Sequence, residues 1–252
     1  MIIAIIQARM GSTRLPGKVL KIAAGKPILA HQILRVKKAK TLDLVVIATT
    51  ITPADDSIIR LSKKYGVSFF RGSGDDVLDR YYQAAKKFGA DTIVRLTGDC
   101  PLLDPGLIDK AVRFFKKGHF DYAANGLPPT LPDGMDVEVF TFRSLEAAWK
   151  KARLASDREH VTSYIWKNPK KFRIGRISEK NNLSHLRLTV DEPSDLRLVR
   201  KIFNRLYKKN KYFSLDDILG LLEENPRLLR INSAIVRNEG YSKSIKEDKK
   251  KR

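Results

Sequence analysis

The chain has 252 residues, 42% of them hydrophobic and 31% charged, a length that suits one large α/β domain or two small ones. Its net charge of +21 suggests either a polyanionic partner or a small anionic substrate. The single cysteine, Cys100, excludes a disulfide framework and a cysteine-based zinc site. No apolar run approaches the ~20 residues of a membrane span. The N-terminus lacks a basic leader, so we expect a cytoplasmic protein.

The basic residues are spread through the sequence. The densest stretch, residues 197–212, has seven cations and no acid, and the chain ends in "KKKR". The aromatic residues do not interleave with these cations in a stacking pattern, and a solvated helix face explains residues 197–212. A nucleic-acid partner is therefore less favoured than a small anionic substrate, although steep salt dependence of duplex binding would support it.

The first half of the chain alternates strand-like and helix-like segments. Short continuous aliphatic runs predict buried strands, and apolar residues at helical spacing predict amphipathic helices. The predicted strands are 2–6, 44–50, 67–70 and 91–99, and the predicted helices are 27–39, 53–66 and 75–89. This order predicts an α/β fold with a parallel sheet and right-handed crossovers.

The second half is less regular. The predicted helices are 105–118, 144–153, 158–168, 194–209 and 214–225, and the predicted strands are 121–125, 136–142, 172–177 and 186–190. Ser194 is the expected N-cap of its helix. No linker divides the chain, so we expect a single domain over residues 1–240 and a flexible basic tail over 241–252.

The segment "QARMGSTRLPGK" (7–18) follows the first predicted strand directly. Ligands of parallel α/β sheets bind at the carboxyl ends of the strands, where this loop lies. Small residues free backbone N–H groups, and nearby cations repel one another unless an anion lies between them. The loop is therefore predicted to bind phosphate through Arg9, Gly11, Ser12, Arg14 and Lys18.

Two familiar phosphate-binding loops do not match this segment. A Walker A loop has four residues between its glycines and a Ser or Thr after its lysine. Here five residues separate Gly11 from Gly17, and Val19 follows Lys18. The glycine fingerprint of dinucleotide-binding folds, G-x-G-x-x-G, is also missing from the loop.

The loop "ARMGSTRLPGK" resembles the signature loop of the sugar-activating cytidylyltransferases, which include the acylneuraminate and 3-deoxy-manno-octulosonate enzymes. Further segments are similar to the spore coat polysaccharide branch of that family: "FRGSGDDVLDRYYQAA" (70–85), "VRLTGDCPLLDP" (94–105), "DGMDVEVF" (133–140), "REHVTSYI" (158–165), "VDEPSDL" (190–196) and "INSAIVRNEGYSKS" (231–244). Together they cover nearly the whole chain in the same order.

The resemblance implies a Rossmann-like nucleotidyltransferase fold, with a mostly parallel central sheet flanked by helices, and a homodimer. It implies transfer of a cytidylyl group from CTP to a sugar acid or related acceptor for surface polysaccharide or glycoconjugate synthesis, with release of pyrophosphate. Arg9, Arg14 and Lys18 would then hold the triphosphate and offset charge on the leaving group. Gly11 and Ser12 would donate backbone N–H bonds.

The resemblance also implies a Mg²⁺ site formed by Asp99 and Asp191. Mg²⁺ is commonly held by one or two carboxylates together with substrate phosphates and water. Asp99 follows a predicted strand and a glycine, and Asp191 follows residues 186–190. The alternatives are a turn aspartate for Asp99 and a helix-capping aspartate for Asp191.

In related enzymes the region of "RGSGDD" (71–76) contacts the nucleoside, so Arg71 and Ser73 are the expected ribose or cytosine contacts. Asp75 or Asp76 is expected to cap the following helix.

The acceptor side is expected in the second half of the chain. Asp136 and Glu138 alternate on one face of a predicted strand, and Arg158, Glu159 and His160 add two charges and an imidazole. Carboxylates and imidazole suit sugar hydroxyls, and Arg158 suits an acceptor carboxylate or phosphate. The alternative is that Asp136 and Glu138 line a solvated strand face, while Arg158 and Glu159 form a surface ion pair.

Two other enzyme classes share the expected fold. One is a nucleotidyltransferase that uses UTP or GTP on a sugar phosphate, and the other is a glycosyltransferase with a nucleotide-sugar donor. Nucleotide choice and pyrophosphate release distinguish these classes from a cytidylyltransferase.

Overall fold

The computed structural model describes residues 1–237 and 239–250. Its strands are β1 (Ile2–Gln7), β2 (Ile22–Ala23), β3 (Lys26–Pro27), β4 (Leu44–Thr50), β5 (Ser68–Gly72), β6 (Thr92–Thr97), β7 (Tyr122–Ala124), β8 (Glu138–Thr141) and β9 (Ile174–Arg176). Its α-helices are α1 (Ile28–Val36), α2 (Asp56–Lys64), α3 (Val77–Lys87), α4 (Pro105–Lys117), α5 (Phe142–Lys151), α6 (Ala155–His160), α7 (Ser163–Trp166), α8 (Pro193–Leu206), α9 (Leu215–Glu224) and α10 (Glu239–Lys250). Short 3-10 turns cover Lys18–Leu20, Pro53–Asp55 and Pro226–Ile231.

A central sheet of seven strands has the order β5-β4-β1-β6-β8-β7-β9. The pairs β5-β4, β4-β1, β1-β6 and β7-β9 are parallel, whereas β8 runs antiparallel to both β6 and β7. A separate two-stranded hairpin is formed by β2 and β3. The mostly parallel sheet predicted from the alternating segments is confirmed.

Both faces of the sheet are covered, as the continuous aliphatic run of β1 requires. Ile3 and Ile5 pack on one face with residues of α3, α5 and α7. Ala4 and Ile6 pack on the other face with residues of α1, α4, α8 and α9. The sheet is therefore the middle layer of three. The helices cover its two faces and leave the ends of the strands open. No helix in the described residues is long and apolar enough to cross a membrane.

Three local predictions are wrong. Residues 186–190 form one isolated bridge, between Arg187 and Asp133, instead of a strand. The predicted helix over 158–168 is split into α6 and α7 at Val161, which has a φ of +64°. The N-cap of α8 is Glu192, not Ser194, because Glu192 and Asp195 form a capping box. The bridge to Asp133 and the reciprocal cap of α8 outweigh the local pattern in two of these cases, and the positive φ of Val161 interrupts the helix in the third.

The C-terminal segment also differs from the expected flexible tail. Residues 239–250 form α10, which contacts α6, while residues 251 and 252 lie outside the described residues.

The turn at Gly134 tests how tightly this fold is packed. Its φ is +98°, and a Cβ there would lie 2.6 Å from the backbone nitrogen of Thr189. We expect Gly134→Ala to lower the free energy of unfolding by at least about 2 kcal/mol, through backbone strain and overpacking. The measurement is urea denaturation followed by circular dichroism.

The matched control is Gly220→Ala in α9, where nothing lies within 4 Å of an added Cβ. Alanine favours a helix interior by about 1 kcal/mol over glycine, so this substitution should raise the free energy of unfolding. A neutral Gly134→Ala protein would contradict the packing described here.

Candidate active site

A crevice of about 720 Å³ opens at the carboxyl ends of β1 and β6. Residues from six parts of the chain line it: the loop after β1, the end of β6 with the turn that follows it, α3, the end of α6, the segment before α8 and one face of α10. They include Arg9, Gly11, Ser12, Arg14, Lys18, Arg80, Arg95, Asp99, Glu159, His160, Asp191, Glu239, Lys243 and Lys246. The predicted phosphate-binding loop is thus on the crevice wall.

The loop after β1 is shaped by its own backbone. The N–H groups of Ser12 and Gly17 both donate to the carbonyl of Met10, at 2.9 and 3.1 Å. Gly17 has a φ of +65°, a conformation that favours glycine. The backbone N–H of Ser12 therefore closes the loop. The side-chain Oγ of Ser12 accepts a hydrogen bond from the N–H of Leu15 at 3.3 Å.

Asp55 anchors this loop to the sheet. One oxygen of its carboxylate accepts from the N–H of Met10 at 2.8 Å. The other accepts from the hydroxyls of Thr49 and Thr50, at 2.9 and 2.5 Å. Burial opposes the charge, but the donors at Thr50, Met10 and Thr49 hold the pKa of Asp55 below its usual value. A buried carboxylate thus holds the loop against the end of β4.

Lys18, Asp99 and Asp191 meet at the centre of the crevice. The Lys18 ammonium lies 2.6 Å from a carboxylate oxygen of Asp99 and 2.6 Å from one of Asp191. Burial disfavours the carboxylate of Asp99, but the Lys18 charge prevails and lowers its pKa to about 2. Burial likewise opposes the ammonium, and the two carboxylates nevertheless raise the pKa of Lys18. Lys18 and Asp99 are therefore both charged at neutral pH.

Gly98 allows Asp99 to reach this position. A Cβ at residue 98 would lie 2.8 Å from the carbonyl oxygen of Gln7, and the N–H of Gly98 donates to that carbonyl at 2.8 Å. The chain after β6 therefore runs against the end of β1 before it presents the carboxylate.

Asp191 is positioned by Arg187. The guanidinium contacts Asp191 at 2.9 Å, Asp133 at 2.6 Å and Asp195 at 3.0 Å. Asp195 is fully buried and also accepts from the side-chain amide of Asn232 at 2.8 Å. This buried network fixes the backbone that carries Asp191, which explains why residues 186–190 do not pair as a strand.

Arg14 lies on the outer side of the same cluster. It contacts Asp191 at 3.1 Å, and Glu192 and Glu239 at 3.5 Å each. The guanidinium of Arg9 donates to the carbonyl of Gly74 at 3.3 Å. Arg9 therefore bridges the loop after β1 to the turn before α3.

Asp99 and Asp191 fit a hard divalent cation that takes only a few of its ligands from the protein. Two carboxylates converge on one cation position, which the Lys18 ammonium fills. Within the described ranges no cluster of three or more acidic, histidine or cysteine side chains could hold a metal ion. Mg²⁺ is typically held by one or two carboxylates, with substrate phosphates and water completing its shell. Asp99 and Asp191 match that pattern.

The expected nucleoside contacts lie outside the crevice wall. Arg71 donates to the carbonyls of Thr50 and Thr52, both at 2.9 Å, and pairs with Asp56. The hydroxyl of Ser73 accepts from the N–H of Asp76 at 2.9 Å. In this structure Arg71 stabilises the turn after β4, and Ser73 stabilises the turn before α3.

Asp76 is the N-cap of α3. The sequence predicted that either Asp75 or Asp76 would cap this helix. Its other carboxylate oxygen pairs with Arg158 at 2.6 Å. Arg158 therefore connects α6 to α3 and lies outside the crevice.

Asp136 and Glu138 are also engaged elsewhere. Glu138 accepts from Arg95 and from the hydroxyls of Tyr122 and Thr162. Burial opposes its charge, but these donors lower the pKa of Glu138. Asp136 pairs with Arg237 at 2.5 Å. Neither carboxylate lines the crevice. Each is instead bonded to partners elsewhere in the protein.

Glu159 and His160 are the two expected acceptor residues that the structure brings to the crevice. Both contact α10: the Ser244 hydroxyl donates to Glu159 at 2.7 Å and lies 3.1 Å from Nε2 of His160. The His160 ring also packs edge-on against Tyr241. Burial lowers the pKa of His160, so a neutral imidazole is favoured at neutral pH.

Sequence reasoning missed several groups at or beneath the site. Arg95 is a cation inside an otherwise apolar strand segment, a pattern that could have indicated a buried partner. Arg187 shows the same pattern within residues 186–190, whereas Asp55 and Arg80 carry no comparable local signal. They become informative only when the fold brings their partners together.

The anchoring role of Asp55 can be tested without any ligand. We expect Asp55→Ala to speed amide hydrogen exchange across residues 8–18, because the N–H of Met10 loses its acceptor. Mass spectrometry of peptides from this loop measures the rate.

Asp56→Ala is the matched control, since its side chain is 49% exposed and pairs with Arg71 instead. Equal protection of residues 8–18 in both variants would show that Asp55 does not hold the loop.

Comparisons with known proteins agree with this geometry. The family model described as cytidylyltransferase matches residues 3–231. The chain is 33% identical to the spore coat polysaccharide biosynthesis protein SpsF of Bacillus subtilis, over 89% of this chain and 95% of that protein. It is 42% identical to an uncharacterized protein of Methanocaldococcus jannaschii, over 95% and 97%.

A solved structure extends the comparison to three dimensions. A cytidylyltransferase from Leptospira borgpetersenii superposes with a TM-score of 0.86 at 37% identity, over 90% of this chain and 96% of that one. The mostly parallel sheet and the flanking helices are thus those of a nucleotidyltransferase. The chain belongs to the cytidylyltransferase family.

Proposed function

We propose that this enzyme transfers the cytidylyl group of CTP to a hydroxyl of a sugar-type acceptor in the presence of Mg²⁺. The observation that carries the proposal is the meeting of Lys18 with Asp99 and Asp191 beside the phosphate-binding loop. This crevice offers cations for a triphosphate and carboxylates for a divalent ion at one place. It also has room for a second substrate.

In the proposed reaction the acceptor oxygen forms a bond to the α-phosphorus of CTP. The bond from that phosphorus to the α,β-bridging oxygen breaks, and its electron pair leaves with pyrophosphate. The hydroxyl proton passes to water. Positive charge near the leaving group lowers the barrier, because negative charge accumulates there in the transition state.

Arg9, Arg14 and Lys18 are proposed to supply this charge. They are placed on one loop, and Asp55 fixes that loop before substrate arrives. Asp99 and Asp191 would hold Mg²⁺, which supplies a Lewis acid for the phosphate oxygens. Lys18 occupies the position between the carboxylates, so the cation and the ammonium share the same two partners.

The acceptor is proposed to lie against Glu159 and His160. Their carboxylate and neutral imidazole can both accept hydrogen bonds from sugar hydroxyls. Both side chains belong to α6 and face the crevice that contains Asp99.

The test is a pyrophosphate-release assay with CTP, UTP, GTP and ATP against a panel of sugar acids, sugar phosphates and polyols. We expect CTP to be used in preference to the other nucleotides. Lys18→Ala should lower kcat/KM with CTP by roughly 10²- to 10³-fold, since one charge-assisted transition-state contact contributes about 2–4 kcal/mol.

The control is Lys21→Ala, which removes an exposed lysine three residues away. It should keep near wild-type activity. Pyrophosphate release with UTP or GTP but not with CTP would contradict the proposal. A Lys18→Ala enzyme with the kcat/KM of the wild type would also contradict it.

The metal proposal has its own test. Asp191→Asn replaces a charged ligand by a neutral amide, so we expect it to raise the Mg²⁺ concentration needed for half-maximal activity at least about tenfold. Asp75→Asn, which changes an exposed aspartate outside the crevice, is the control and should leave this concentration unchanged. Turnover that persists in excess chelator would show that no divalent cation is needed.

A further inference from the structure

Helix α10 is docked against the body of the protein through one face. Tyr241 packs against the rings of His160 and Trp166. Ser244 donates to Glu159, and Asp248 accepts from the N–H of Ser156 at 3.4 Å. These contacts recur at three- and four-residue intervals, so they belong to one side of the helix.

The adjacent face of α10 is turned to the crevice. Glu239, Lys243 and Lys246 line it, and their spacing of four and three residues places them in one row along the helix. Glu239 lies 3.5 Å from Arg14, which brings the first turn of α10 next to the phosphate-binding loop. Lys243 follows one turn later on the same side.

The two lysines differ from Lys18 and Arg14 in their partners. Lys18 is already shared by two carboxylates, and Arg14 contacts three acidic side chains. In the described part of the chain, by contrast, neither Lys243 nor Lys246 forms an ion pair. Like Arg9 and Arg80, which contact only the backbone carbonyls of Gly74 and Ser73, they are crevice cations that no carboxylate of the described residues pairs with.

We propose that Lys243 and Lys246 bind the phosphates of the nucleotide, so that α10 completes the triphosphate site opposite the loop after β1. This inference rests on the proposed use of CTP in this crevice. The helix lies beyond residues 3–231, the region matched by the family model, so the family match does not assign these lysines a role. Both lysines and the loop after β1 line the same crevice, so a triphosphate bound there would touch the loop on one side and α10 on the other.

The experiment compares Lys243→Ala/Lys246→Ala with the matched control Lys249→Ala/Lys250→Ala. Both double variants remove two positive charges from α10, but residues 249 and 250 do not line the crevice. Isothermal titration calorimetry with CTP, CDP and CMP in Mg²⁺ buffer gives the affinities. Thermal unfolding checks that each variant is folded.

We expect CTP to bind about fivefold to tenfold more weakly to Lys243→Ala/Lys246→Ala, with a smaller loss for CDP and little loss for CMP. The affinity for CTP should also depend less steeply on salt concentration. Lys243→Arg/Lys246→Arg should restore most of the affinity, because the charge is kept. The control variant should match the wild type.

Equal weakening in both alanine variants would overturn the inference, since general charge attraction would explain it. Unchanged CTP affinity in Lys243→Ala/Lys246→Ala, with the wild type binding normally, would also overturn it and leave the proposed function standing. A wild-type protein that does not bind CTP would overturn both.

Discussion

The salt bridge between Lys18 and the two carboxylates of Asp99 and Asp191 holds the site together. Its three members come from the loop after β1, the turn after β6 and the segment before α8. Two carboxylates at one point repel each other unless a cation lies between them. That cation is the Lys18 ammonium, so the ion cluster holds three distant parts of the chain together.

The surrounding charges keep this cluster in place. Arg187 contacts Asp191 from the protein side while also neutralising the fully buried Asp195. Arg14 contacts Asp191 from the crevice side. Removing one partner from a buried network leaves an uncompensated charge, which costs more free energy than a surface pair contributes. The site is therefore preorganised by the fold before any substrate binds.

Much of the fold and the centre of the site could be predicted from the sequence. The aliphatic run of β1, the cation-rich loop after it and the aspartate after β6 are local patterns, because strand ends and phosphate loops are built from consecutive residues. The structure places Arg9, Arg14, Lys18, Asp99 and Asp191 together on one crevice.

The acceptor side could not be predicted in the same way. Glu138 and Arg158 have residue types that suit a sugar, yet their partners, Arg95 and Asp76, lie far away in sequence. Whether a charged side chain faces a ligand or a protein partner depends on tertiary contacts. The same limit applies to α10, whose polar sequence gives no sign that one face docks on α6.

We propose that this ion cluster is the cation site of a nucleotide-binding crevice. The most direct measurement is a crystal structure of the wild-type protein with CTP and Mn²⁺, whose anomalous scattering locates the ion. We expect one ion in contact with Asp99 and Asp191, and the triphosphate between the loop after β1 and the lysine face of α10. An ion or a triphosphate located elsewhere, with Lys18 still bound to both carboxylates, would contradict it.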